Sequence, residues 1–163
     1  MDIPDLPPDL TFPRLPRTSE AASLAFEVKR EALGRHIRRR WPWDEAFQRD
    51  LHQRRFDEKP FFEIKRSGQR IGVLSLMVLP DYVRFGEFYL FSAFQGQGIG
   101  SAILRHCLSL ADGLLLPVRL EYLHWNPVGS LYGRHGFVEI GRSDTHRLME
   151  RAVSPAAPIS GRR

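Results

Sequence analysis

Tyr89-Leu90-Phe91-Ser92-Ala93-Phe94-Gln95-Gly96-Gln97-Gly98-Ile99-Gly100-Ser101 is the most informative segment of the chain. An apolar, aromatic run favours a strand. It leads into three glycines spaced two apart, and the apolar positions Ile99, Ala102, Ile103, Cys107 and Leu110 then follow at helical spacing. A strand, a glycine loop and a helix start in that order form an anion site. Glycine lets the backbone approach a ligand and adopt positive φ. The first helical turn presents up to four unpaired N–H groups and about half a positive charge, which suits a pyrophosphate. An ordinary glycine-rich turn is the competing reading. The pattern G-x-G-x-G lacks the Gly-Lys-Ser/Thr of a Walker loop and departs from the G-x-G-x-x-G of a dinucleotide fold.

Working outward, the periodicity predicts an edge strand at 10–15, limited by Pro13. Thr18 or Ser19 opens a helix, and Pro42 breaks it at Trp41. Asp44 caps a second helix to about Phe56. Strands follow at 61–65, 71–79 and 82–91, with turns at Ser67-Gly68-Gln69 and Pro80-Asp81. The glycine-loop helix spans about 98–112. A strand at 118–124, a short helix at 130–135 ending on Gly136, and strands at 137–140 and 145–151 complete the chain. The order β-α-α-β-β-β-α-β-α-β-β implies an α/β fold: a mixed central sheet of about six or seven strands flanked by about four helices.

A chain of 163 residues suits one domain, expected over residues 10–153. Residues 1–9 carry three prolines and are expected to be loose, and 154–163 to form a disordered tail. One cysteine, Cys107, excludes an internal disulfide; on an apolar helix stripe it reads as a buried small hydrophobe. No apolar run reaches the roughly 20 residues of a membrane span. The N-terminus has no secretory pattern, so a cytoplasmic setting and no membrane partner are expected. Three lysines leave 21 of the 24 basic residues as arginine, with net charge +5. That surplus fits a phosphate-bearing cofactor; it is small for a nucleic-acid binder, and no nucleic-acid motif appears. The six histidines are scattered without ligand spacing, so no metal is expected.

Gln95-x-x-Gly98-x-Gly100 resembles the Q/R-x-x-G-x-G/A signature of the GNAT N-acetyltransferases. Leu120 to Pro127, then Leu131-Tyr132-Gly133-Arg134-His135-Gly136-Phe137, is similar to that family's L-x-V…N-P…LYxxxGF segment, at its spacing. Trp41-Pro42-Trp43-Asp44-Glu45 resembles a W-G-W-D-E segment of bacterial members. The resemblance covers about 10–151 and is strong over 87–141. It implies the GNAT fold and acetyl-CoA as cosubstrate, with an acetyl group passing directly to a primary amine of a small molecule or peptide. It implies that backbone groups of Leu90, Phe91 and Ser92 pair with the pantetheine arm. The amides of Gln95, Gly96, Gln97, Gly98, Ile99, Gly100 and Ser101 would hold the pyrophosphate, Asn126 would contact the pantetheine, and Tyr132 would lie near the sulfur. The chain departs from the family at Gly129, where Ala is frequent, and at Gln97, where a basic residue is usual.

Three groups are weighed as the base that accepts the amine proton: Glu121, Glu87 and His124. Glu121 fits a solvated strand carboxylate or a partner of Arg119 or Arg84 equally well. Tyr132 is the expected general acid, with a packing role as its competitor. Trp41, Trp43 and Phe47 are placed to shape an acceptor pocket or to pack the core. Arg35, Arg38 and Arg39 share a helical face, solvated or steering an anion. A non-catalytic acyl-CoA sensor with the same fold is the rival function, and a monomer or homodimer is expected.

Overall fold

The computed structural model describes residues 1–39 and 42–155, without the side chains of Arg35 and His36. The elements are β1 (Leu10–Thr11), α1 (Ser19–Arg38), α2 (Glu45–Glu58), β2 (Phe61–Arg66), β3 (Gln69–Val78), β4 (Val83–Leu90), α3 (Ile99–Gly113), β5 (Val118–Leu123), α4 (Gly129–Arg134), β6 (Val138–Arg142) and β7 (His146–Arg151). The seven strands form one sheet in the order β1-β2-β3-β4-β5-β7-β6. Only β4–β5 is parallel, with α3 as the crossover. This is the mixed sheet with four helices that the sequence implied.

Local chemistry accounts for most boundaries. Thr18 accepts from the Ala21 amide and Asp44 from the Phe47 amide, so both helices begin on side-chain caps. Ser67 and Gly68, at φ 49° and 79°, make the two-residue β2–β3 turn. Gly136, at φ 86°, ends α4 as expected. β1 is shorter than predicted, because Pro13 has no N–H to donate. The chain still follows β2 beyond it: Glu63 N–H donates to the Pro13 carbonyl and Leu15 N–H to that of Phe61, at 2.9 and 2.8 Å.

The centre of the sheet is buried on both faces, whereas β6 at its edge is exposed. Phe62, Ile64, Leu74 and Phe85 pack under Ile103, Leu104 and Cys107 of α3. On the other face Phe61 and Val73 meet Ala22, Ala25 and Val28 of α1 and Phe56 of α2. Residues 1–9 depart from the looseness expected of them. Ile3 is buried, Leu6 and Leu10 exchange backbone hydrogen bonds of 2.9 and 3.0 Å, and His106 Nε2 donates to the Pro4 carbonyl. Ile3, Leu6 and Leu10, interspersed with the prolines, supply apolar surface to bury. The expected tail lies outside the described residues from 156 on. Among the described residues no helix is long and apolar enough to cross a membrane.

Candidate active site

The site begins where the sheet splits. β4 and β5 pair only at Val83↔Val118 and Arg84↔Arg119, and then part. The cause lies in β4: Glu87 sits at φ 46°, where the β3–β4 register slips. Such a bulge bends a strand away from its neighbour. Beyond it, Tyr89 pairs with Val73 and the Phe91 amide donates to the Ile71 carbonyl. The alternate residues Phe88 and Leu90 therefore turn their backbone groups away from β3, towards the gap.

Two cavities fill that gap. One, of about 650 Å³, runs along the glycine loop and is lined by Leu90, Gln95, Gly98, Ser101, Pro127 and Arg134. The other, of about 450 Å³, lies between α1, α2 and the split strands. Leu33, Phe88, Tyr89, Asn126 and Val128 belong to both, so the two spaces meet at the bulge.

The loop is built as an anion cradle. Gly96 and Gly98 hold φ of 71° and 81°, and a Cβ on Gly98 meets nothing within 4 Å. Among the described residues, no protein group accepts from the amides of Gly96 to Ser101; the first helical bond of α3 is Ala102 N–H to Gly98 O. Gln95 Nε2 donates to the Leu90 carbonyl at 2.8 Å and Gln97 Nε2 to that of Ala93 at 2.7 Å, tying the loop back to the segment that precedes it. The charge missing at Gln97 has a counterpart the sequence reading did not find: Arg134, the last residue of α4, lines the same cavity. These donors fit an elongated ligand carrying a diphosphate. We expect Arg134→Ala to weaken acetyl-CoA binding about two- to fivefold, less so in high salt, as measured by calorimetric titration at two ionic strengths.

Not every backbone group assigned to the pantetheine is free. The Leu90 carbonyl takes the Gln95 side chain, the Phe91 amide belongs to the sheet, and the Ser92 amide donates to Glu31 Oε2 at 2.9 Å while Ser92 Oγ contacts Glu31 Oε1. Asn126 Oδ1 accepts from the Val128 amide at 3.1 Å, which leaves its Nδ2 available between the cavities. Gly129 is explained by Tyr122: a Cβ there would stand 2.5 Å from the Tyr122 hydroxyl.

Tyr132 is buried against Phe85, Tyr122 and Phe137 and lines the second cavity. Its hydroxyl makes no hydrogen bond among the described residues. Burial, then the neighbouring Tyr122, push its pKa well above the ordinary value, so it stays protonated through the neutral range.

The three base candidates fare differently. Glu121 is exposed at the cavity rim. His124 is engaged at both nitrogens: Nε2 donates to the Ser143 carbonyl and Nδ1 accepts from Arg147 Nε. Glu87 is buried among cations. Lys59 Nζ lies 3.3 Å and Arg55 Nη1 3.5 Å from its Oε1, and Tyr89 donates to its Oε2 at 3.3 Å. Burial acts to raise its pKa, but the charges of Lys29, Arg55 and Lys59 overcome that and hold it at about 2. A further group enters the cavity unannounced by any motif, namely His146. Its Nδ1 lies 2.7 Å from Thr145 Oγ1, and burial followed by the Arg55 charge lowers its pKa. No sequence spacing links β7 to this wall; only the β5–β7 pairing Leu123↔His146 puts it there.

Among the aromatic residues weighed for the acceptor pocket, Phe47 lines the cavity, whereas Trp43 donates to Glu45 and packs on Phe26. Trp41 lies outside the described residues. Of the arginine face, Arg38 stacks on Trp43 at 5.5 Å and Arg39 is exposed; the Arg35 side chain is not described. Among the described residues no group of three or more His, Cys, Asp or Glu could hold a metal ion.

The chain's fold recurs among solved proteins. The structure of PaiA N-acetyltransferase from Thermoplasma acidophilum in complex with coenzyme A matches with a TM-score of 0.70 at 17% identity, over 89% of this chain and 99% of that one. The ribosomal-protein-S18-alanine N-acetyltransferase of Escherichia coli matches at 0.63 and 18%, over 92% and 97%. An acyl-CoA N-acyltransferase from Pseudomonas aeruginosa matches at 0.59 and 24%, over 88% and 99%. No curated protein sequence matches the chain. The family model of the acetyltransferase (GNAT) domain matches residues 57–139, which hold the bulged strand, the glycine loop and α4. The chain belongs to the GNAT acetyltransferase family.

Proposed function

We propose that this acyltransferase-family chain is an N-acetyltransferase that passes an acetyl group from acetyl-CoA to a primary amine by direct attack. The observation that carries the reading is the junction of the two cavities at Phe88, Tyr89 and Asn126, with Tyr132 lining the cavity on the α1–α2 side. A long ligand in the loop cavity would bring its reactive end to that junction, where an amine in the other cavity would meet it.

Acetyl-CoA supplies the activated acyl thioester. The amides from Gly96 to Ser101 and Arg134 bind its phosphates; Asn126 Nδ2 and the gap-facing backbone of Phe88 and Leu90 orient its arm. An N–H of that backbone stabilises negative charge as it develops on the thioester oxygen. Tyr132 donates its proton to the departing sulfur. An alkylamine has a pKa near 10.4, so it must lose a proton before attack. His146 suits that task better than Glu87. Its lowered pKa leaves the imidazole neutral at pH 7, whereas a carboxylate held at about 2 by three cations is a poor proton acceptor. Glu121, at the rim, relays the proton to water.

Release of free thiol from acetyl-CoA, followed with a panel of primary amines, tests the reading. Amine-dependent release with a matching mass gain on the amine is expected. Binding of acetyl-CoA without any amine-dependent release would overturn it in favour of a non-catalytic acyl-CoA-binding role.

A further inference from the structure

The cavity on the acceptor side contains more positive charge than its own carboxylate uses. Three cations line it with bonding capacity left over. Lys29 is 1% exposed, and its Nζ has no hydrogen-bond partner among the described residues. Among the same residues the Arg55 guanidinium makes one ion pair, 3.5 Å from Glu87, which leaves most of its donors unused. Arg84 makes no ion pair or side-chain hydrogen bond among the described residues, although it lines the same wall. Glu87 is one carboxylate shared among these charges and Lys59. A buried ammonium with only that shared, through-space attraction and no hydrogen bond has exchanged its water for little, an arrangement a bound anion would complete. Two of the chain's three lysines, Lys29 and Lys59, stand in this one cluster.

Two carboxylates line the same cavity, Asp44 at the start of α2 and Glu121 on β5 beside the split. An ammonium is favoured beside these carboxylates and an anion beside Lys29, Arg55 and Arg84. A singly charged carboxylate matches the cation wall; a doubly charged phosphate would also meet Asp44 and Glu121 in about 450 Å³ of shared space.

We propose that the acceptor is a small amine that also bears a carboxylate, an amino acid, whose carboxylate is bound by Arg55, Arg84 and Lys29 while its amine is presented to the thioester. This rests on the acyl-transfer reading for the role of the amine, but the anion site stands on its own geometry. Arg55 can take a carboxylate through two parallel N–H donors. The transferred group then follows the usual balance: the amine nitrogen bonds the acyl carbon, the carbon–sulfur bond breaks, the sulfur takes a proton and the nitrogen gives one up.

The test pairs free L-amino acids with their α-carboxamides, and adds O-phosphoethanolamine as the phosphate-bearing amine. Thiol release from acetyl-CoA gives kcat and KM. Calorimetric titration of each compound into the CoA-loaded protein reads binding without turnover. The expected result is a kcat/KM tenfold or more higher for the best amino acid than for its carboxamide, arising in KM, and a loss of that ratio in Arg55→Gln and Arg84→Gln. The Arg84 side chain has no ion pair or hydrogen bond among the described residues to lose, so its variant reads the site even if Arg55→Gln unfolds. Equal use of acid and carboxamide, or preference for the phosphate-bearing amine, overturns the proposal while leaving acyl transfer intact. If no amine is acylated at all, the acyl-transfer reading fails. Titration then decides the anion site: binding of the acids that Arg84→Gln abolishes supports it, and absence of binding refutes it.

Discussion

Replacing Tyr132 by phenylalanine lowers kcat for acyl transfer by about 10²-fold or more, with a much smaller change in the KM for acetyl-CoA. The ring is held by Phe85, Tyr122 and Phe137, and phenylalanine keeps those contacts. The hydroxyl bonds to no described group, so removing it strands no buried partner, and the melting temperature should hardly move. Only a group met by the hydroxyl outside the protein registers the change. Steady-state kinetics beside a thermal melt separate the two roles: an unchanged kcat would reduce Tyr132 to a packing residue.

Glu87→Gln is expected to cost about 3–5 kcal/mol of stability, because it leaves Lys29, Arg55 and Lys59 crowded together with no buried counter-charge. In a chain of this length that corresponds to a fall in Tm on the order of 10 °C. The pH dependence follows from the sign of the shift. The folded pKa, about 2, lies below the ordinary carboxylate value of 4.5, so the unfolded chain binds more protons between them. The stability that Glu87 contributes is therefore complete above pH 4.5 and is lost as pH falls towards 2. Chemical denaturation across that range should show a steeper acid loss in the native chain than in Glu87→Gln. Should the variant instead keep its stability and lose turnover, Glu87 would be acting as the base.

The division between what the sequence made legible and what it did not follows the range of the interactions. The caps at Thr18 and Asp44, the turn at Ser67-Gly68, the stop at Gly136 and the loop from Gln95 to Gly100 are written in neighbouring residues, and each sits where the pattern put it. The split in the sheet was not legible. It depends on Glu87 adopting φ 46°, a conformation that no local preference of glutamate announces, and on the cations that hold its carboxylate. The same limit applies to the acceptor cavity. Lys29 lies on α1, Arg55 on α2, Arg84 on β4 and His146 on β7, and only the tertiary fold assembles them. The burial of Ile3 went unread because the prolines that follow it, Pro4, Pro7 and Pro8, mask an apolar anchor. Arg134 was quoted within a motif, yet its replacement of the missing loop cation appears only when α4 is seen beside the groove.

Calorimetric titration of acetyl-CoA into the native chain and into Gly98→Trp tests the central claim most directly. Gly98 holds φ 81° and faces open space on the groove side, so a large side chain there adds about 1–3 kcal/mol of backbone strain and fills the cradle. Micromolar binding by the native chain and none by a folded Gly98→Trp protein is the expected result. Equal binding by both would place the cosubstrate elsewhere and contradict the cradle from which the rest of the site was built.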